Sequence, residues 1–102
     1  MVQFVNRDVV PGQYFTVAAS QTTQALGAVG KTGDYLDHVS IIPATATPGV
    51  VTIFDGTTAI YSVPALTSIA PVNITVQAYS KTGSWNITTG ANVSVVAVGQ
   101  FT

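Results

Sequence analysis

The chain has 102 residues, 47% of them hydrophobic, and seven carry full charge: Arg7, Lys31, Lys81, Asp8, Asp34, Asp37 and Asp55. That length predicts one small domain, burying about 64% of the surface its unfolded chain exposes, and the apolar content excludes intrinsic disorder. A net charge of −1 and the lack of cysteine exclude a nucleic-acid footprint, a polybasic membrane patch, a disulfide scaffold, a thiolate zinc site and a cysteine nucleophile.

The N-terminus has no basic segment followed by a continuous apolar one, so no secretory signal is expected. Residues 1–12 are expected to form an arm that Pro11-Gly12 ends, ahead of a β-sandwich domain over residues 13–102. Val2 and Phe4 are the arm's candidate partner-binding residues, placed to add a strand to a neighbour's sheet edge.

Helical periodicity is missing, and Val, Ile and Thr, whose branched side chains pack well on a pleated surface, dominate. Tyr14 to Ala18 and Gln21 to Leu26 read as the first strands, followed by Gly27, Gly30 and a turn at Lys31-Thr32-Gly33. Tyr35 to Ile42 alternates, with Val39 and Ile41 on one face and Leu36, His38, Ser40 and Ile42 on the other. Pro43 and the segment Ala44 to Gly49 break that run. Val50 to Phe54 and Ala59 to Val63 form a hairpin across Asp55-Gly56, a strong turn dipeptide.

After a connection from Pro64 to Pro71, Val72, Ile74, Val76 and Ala78 alternate with Asn73, Thr75 and Gln77. Trp85 and Ile87 repeat the alternation. In the last strand, Asn92 to Phe101, Val93, Val95, Ala97 and Phe101 share one face while Val96 and Val98 lie on the other. A strand apolar on both faces is covered on both, and in so small a domain the second cover is another subunit. Val96 and Val98 are therefore candidate partner-binding residues. Seven or eight short strands with regular turns predict an all-β sandwich or barrel.

The candidate chemistry is sparse. Asp34, Asp37 and His38 form the densest titratable cluster, of the kind that holds a metal or exchanges protons. On a regular strand, however, Asp37 and His38 point to opposite faces, so they converge only across a bulge. Asp34 is explained by turn chemistry, and His38 by partial burial at a subunit contact, where an imidazole senses pH. No loop has the oxygen ligands that calcium needs, no phosphate-binding motif occurs, and no hydroxyl has an evident activating base. No catalytic, cofactor or metal site is expected, and the chain is not expected to be an enzyme.

The sequons at Asn73, Asn86 and Asn92 follow from Asn- and Thr-rich strands and predict no glycans. Trp85, with Tyr35 and Tyr79 near it, is either a sugar-stacking platform or, as a small core needs, a buried anchor. The Lys-Thr-Gly triplet at 31–33, leading to Tyr35, recurs at 81–83, leading to Trp85. Related hairpins of a jelly roll or Greek key would produce that echo, and so would independent turn chemistry.

Seven charges cannot cover the roughly 5,400 Å² of surface expected at this size. A neutral, hydroxyl-rich surface suits a subunit that lives attached to others. The run from Lys31 through Tyr35, Asp37 and His38 to Ile41-Ile42-Pro43-Ala44-Thr45 and Pro48-Gly49-Val50-Val51, with the run Ser80 to Gly99, resembles small structural proteins of tailed bacteriophages and prophages. The resemblance covers about residues 31 to 101. It implies a jelly-roll β-sandwich, made in the bacterial cytoplasm, that binds the exterior of the capsid as a cement (decoration) subunit. The implied partners are the major capsid protein and two further copies in a homotrimer. It carries no active-site residues and leaves nucleic acid and membrane unengaged. The alternative is a carbohydrate-binding or host-attachment module of a fibre or head appendage, stacking sugars on Trp85 and Tyr35.

Overall fold

The computed structural model describes residues 13–65 and 67–102. The expected arm over residues 1–12, with Val2 and Phe4, lies outside the described residues. Eight strands follow in order: β1 (Gln13–Val17), β2 (Gln24–Ala25), β3 (Tyr35–Pro43), β4 (Val51–Asp55), β5 (Thr58–Val63), β6 (Val72–Tyr79), β7 (Trp85–Thr89) and β8 (Val93–Gln100). They form two four-stranded antiparallel sheets, ordered β1-β8-β3-β6 and β2-β7-β4-β5.

The pairing is nested. β4 pairs with β5, β3 with β6, β2 with β7 and β1 with β8. A chain folded as one long hairpin and then wrapped across two sheets gives this order, which is that of a jelly roll. The innermost turn is Asp55-Gly56, where Gly56 takes the left-handed φ of 63° that a tight hairpin asks of its turn residue.

The inward faces follow the period of two almost throughout. Val93, Val95 and Ala97 of β8, Val51 and Ile53 of β4, and Trp85 and Ile87 of β7 are buried together with Val17, Leu26 and Leu36. Burying each large aliphatic side chain stabilises the fold by about 1.5–3 kcal/mol relative to exposure.

Two expectations need correction. The strand expected over Gln21 to Leu26 shrinks to Gln24–Ala25, because the Gln21 and Thr23 amides donate to the Thr89 and Thr88 hydroxyls instead of to a ladder. In β3, Leu36 lies with Val39 and Ile41 in the core, not with His38. The register of β3 shifts between Leu36 and His38 against both neighbours. Leu36 and His38 face the consecutive residues Gly99 and Val98, so Asp37 is an extra residue in β3. On the other side Gln77 of β6 absorbs the shift with a φ of 51°. The extra residue resets the alternation and puts apolar positions 36, 39 and 41 on one face. Gly99 is required opposite the bulge, since a Cβ there would collide with the Tyr35 carbonyl.

The two Lys-Thr-Gly turns stand side by side. The Asp34 carboxylate accepts from the Lys31 amide at 3.1 Å and from the Thr102 amide and hydroxyl. The Asp55 carboxylate accepts from the Lys81 amide at 2.9 Å and from the Thr82 amide and hydroxyl. The Gly33 amide donates to the Ser80 hydroxyl at 2.8 Å, and the Ser80 amide to the Asp34 carbonyl. One turn is held by a carboxylate three residues on, the other by one from β4, so the echo is turn chemistry.

Candidate functional site

The outer face of the first sheet carries the side chains that the sequence singles out. Cross-strand partners share a face, so the register gives its rows directly. Tyr14, Val98, His38 and Thr75 make one row. Thr16, Val96, Ser40 and Asn73 make the next. Val96 and Val98 point away from the core as expected and are half-buried, while Tyr14 and Ile42 are exposed. The face is a mosaic of apolar and hydroxyl groups, with its charge confined to one place.

That place is the bulge. The extra residue turns Asp37 toward its neighbours, and His38 Nδ1 lies 2.7 Å from Asp37 Oδ2. A carboxylate only accepts, so this nitrogen carries the proton and donates. The expectation that Asp37 and His38 stay apart is thereby overturned, for the one reason that allows it: a bulge. The Tyr35 hydroxyl donates to the other oxygen, Asp37 Oδ1, at 3.1 Å. The bond from His38 holds the Asp37 carboxyl below its ordinary value despite opposing burial, with further help from Tyr35. Burial first, and then the bond to Asp37, raises the Tyr35 phenol.

The pair joins an imidazole to a carboxylate on the outer face of the sheet. Ser40 follows His38 on the same face, but its hydroxyl donates to Asn73 Oδ1 at 2.7 Å. Asp34 does not join the pair, because it is buried beneath the turn it braces. Among the described residues, no group of three or more His, Asp or Glu side chains is placed to hold a metal ion.

The aromatic candidates separate. Trp85 is 2% exposed, and its indole N–H donates to the Asp34 carbonyl at 2.9 Å, so it is a core anchor and not a sugar platform. Tyr35 instead meets Tyr79 of β6, with ring centroids 5.1 Å apart and planes tilted by 52°. Tyr79 is 67% exposed. The two rings wall a cavity of about 530 Å³ that Asp34, Phe101 and Thr102 also line. Tyr35 and Tyr79, expected near Trp85, meet as direct cross-strand partners of β3 and β6, a register that alternation within each strand does not give.

Comparison of the chain with protein-family models, with curated proteins and with solved structures gives no match.

Proposed function

We propose that this chain is a virion structural protein, a cement subunit that binds the outside of a bacteriophage capsid shell and stabilises it without enzymatic activity. The observation that supports this reading is how little charge the jelly roll leaves for solvent. Of the three aspartates among the described residues, Asp34 and Asp55 are buried and fully engaged in bracing turns. Among the described residues, Lys31, Lys81 and the half-buried Asp37–His38 pair are what remains on the surface. A freely diffusing domain relies on dispersed surface charge for solubility, whereas a subunit that spends its life against other proteins does not.

In this reading three copies associate as a homotrimer with the Val96 and Val98 face at the contact, and the segment holding Val2 and Phe4 reaches the shell. Binding the assembled shell and not its free subunits stabilises the shell by mass action. The test is co-sedimentation with empty shells of the major capsid protein encoded in the same genome. Protein pelleting with the shells, and shells that dissociate at higher temperature, are the expected result; protein left wholly in the supernatant overturns the reading. Val96→Asp should also abolish the trimer by light scattering, and a variant that stays trimeric removes this face from the contact.

The glycan alternative is supported by a different observation, the exposed Tyr79 ring against Tyr35 at the mouth of the cavity. It requires host saccharides to perturb the Tyr79 ring resonances, and unmoved resonances overturn it.

A further inference from the structure

The two lateral edges of the sandwich differ in how well they are closed, and the open one has the form of an unfinished core. The sheets end together at β6 and β5, and among the described residues no strand pairs with the outer edge of either. The inward row of β6, Val72, Ile74, Val76 and Ala78, packs on the core but is only half-buried. Opposite it, Tyr61 faces inward as the cross-strand partner of buried Ile53, yet it is 48% exposed. All but one residue of β5 is exposed. The sheets cover each other only in part here, with Val63 the one buried residue of β5.

The edge also lacks the usual protection against pairing. Free edges in natural sheets are blunted by charged residues, especially lysine, because unpaired N–H and C=O groups are a template for another strand. From Gly56 through Ser80 this chain has no charged residue at all. The bulge between Ile53 and Phe54 interrupts the inner side of β5, where it meets β4, and Pro64 and Pro71 lie outside the strands.

We propose that a second copy of this chain docks on the β5–β6 edge. A two-fold axis normal to the sheets, passing between the copies, sets β5 antiparallel to the second copy's β5 and β6 antiparallel to its β6. Both four-stranded sheets become continuous across the join. The half-buried row of β6 and the Tyr61 ring then meet their own symmetry equivalents, which completes the core. An isologous contact asks a surface only to complement itself, and an uncharged edge sets no like charges against each other. The area suffices: an eight-residue strand at about 3.3 Å per residue, across a wall some 20 Å thick, presents about 500 Å² per copy, or roughly 1,000 Å² in total, where specific interfaces begin.

This inference rests on the reading of the chain as a self-associating coat subunit, and adds a contact distinct from the Val96 and Val98 face. The experiment is hydrogen exchange with light scattering on the full chain, comparing wild type, Tyr61→Lys and Ile74→Lys, with Val96→Asp as the contrasting variant. The expected result is β5 and β6 amides at least tenfold slower in wild type and Val96→Asp than in either lysine variant, a particle mass halved by the lysines, and β8 amides equally protected in all four. β5 amides that exchange equally fast in wild type and Tyr61→Lys, with β8 still protected, overturn it, as does a mass the lysines leave unchanged. Shell co-sedimentation is read separately, so loss of the edge contact with retained pelleting rejects this inference alone. Retained edge protection without pelleting rejects the shell reading alone.

Discussion

At the β1–β2 edge the chain crosses between the sheets and fastens the crossing with its own polar groups, whereas at the β5–β6 edge the described residues of the crossing, 64–65 and 67–71, are exposed. The first crossing is pinned by the Thr89 hydroxyl donating to the Ala18 carbonyl at 2.6 Å, by the Ser20 amide on the Gly90 carbonyl, and by the Gln21 and Thr23 amides on the Thr89 and Thr88 hydroxyls. Leu26 closes the core there at 0% exposure. None of the four edge strands carries a charged residue, so charge does not separate the two edges. What separates them is where the amides of the crossing segment find partners.

The sharpest way to break this comparison is to remove one methyl-rich side chain at each edge. Leu26→Ala should cost about 3–4 kcal/mol, as cavities in sealed cores do. Ile74→Ala should cost about 1 kcal/mol in the isolated subunit, because its side chain is only partly buried. Urea denaturation at low protein concentration measures both, and equal losses would mean the edges are equally closed.

A smaller effect is expected at Asp55, which braces the turn between the two edges. Burial opposes ionisation there, but the Lys81 and Thr82 amides and the Thr82 hydroxyl outweigh it and hold the carboxyl below its ordinary value of 3.8. A lowered folded-state value means that this stabilisation is complete above pH 3.8 and is lost as the pH falls through the folded value. Asp55→Asn should cost about 2 kcal/mol at neutral pH, since an amide replaces one charged acceptor oxygen with a donor facing N–H groups. It should also flatten the acid limb of a thermal-melt series against pH.

The smallest expected change is at the bulge. His38→Gln should leave the melting temperature unmoved, because the Asp37–His38 pair is exposed enough for solvent to screen it. The Asp37 carboxyl should rise toward its ordinary 3.8 in an NMR titration, since the His38 bond is the main reason that it is low. An unmoved Asp37 would assign the shift to Tyr35 instead.

Most of the fold was legible from alternation. The inward and outward residues of β8 were read correctly, and Asp55-Gly56 as a hairpin turn, because each depends on the local period or on one dipeptide, whereas Trp85 was left open between core anchor and platform until its burial decided it. The bulge at Asp37 was not legible, since an inserted residue leaves the same string of letters and only changes which face each one takes. It misplaced Leu36 and hid the contacts of Asp37 with His38 and Tyr35.

By itself the sequence determined that this protein is a low-charge, all-β domain, sandwich or barrel, because period-two patterning and branched residues leave the backbone little else to adopt. The nested order of its strands, the burial of two of its few carboxylates and the contrast between a sealed and an open edge were decided by tertiary structure. Each of these depends on which distant segments meet, and periodicity fixes a strand's faces without choosing its neighbours.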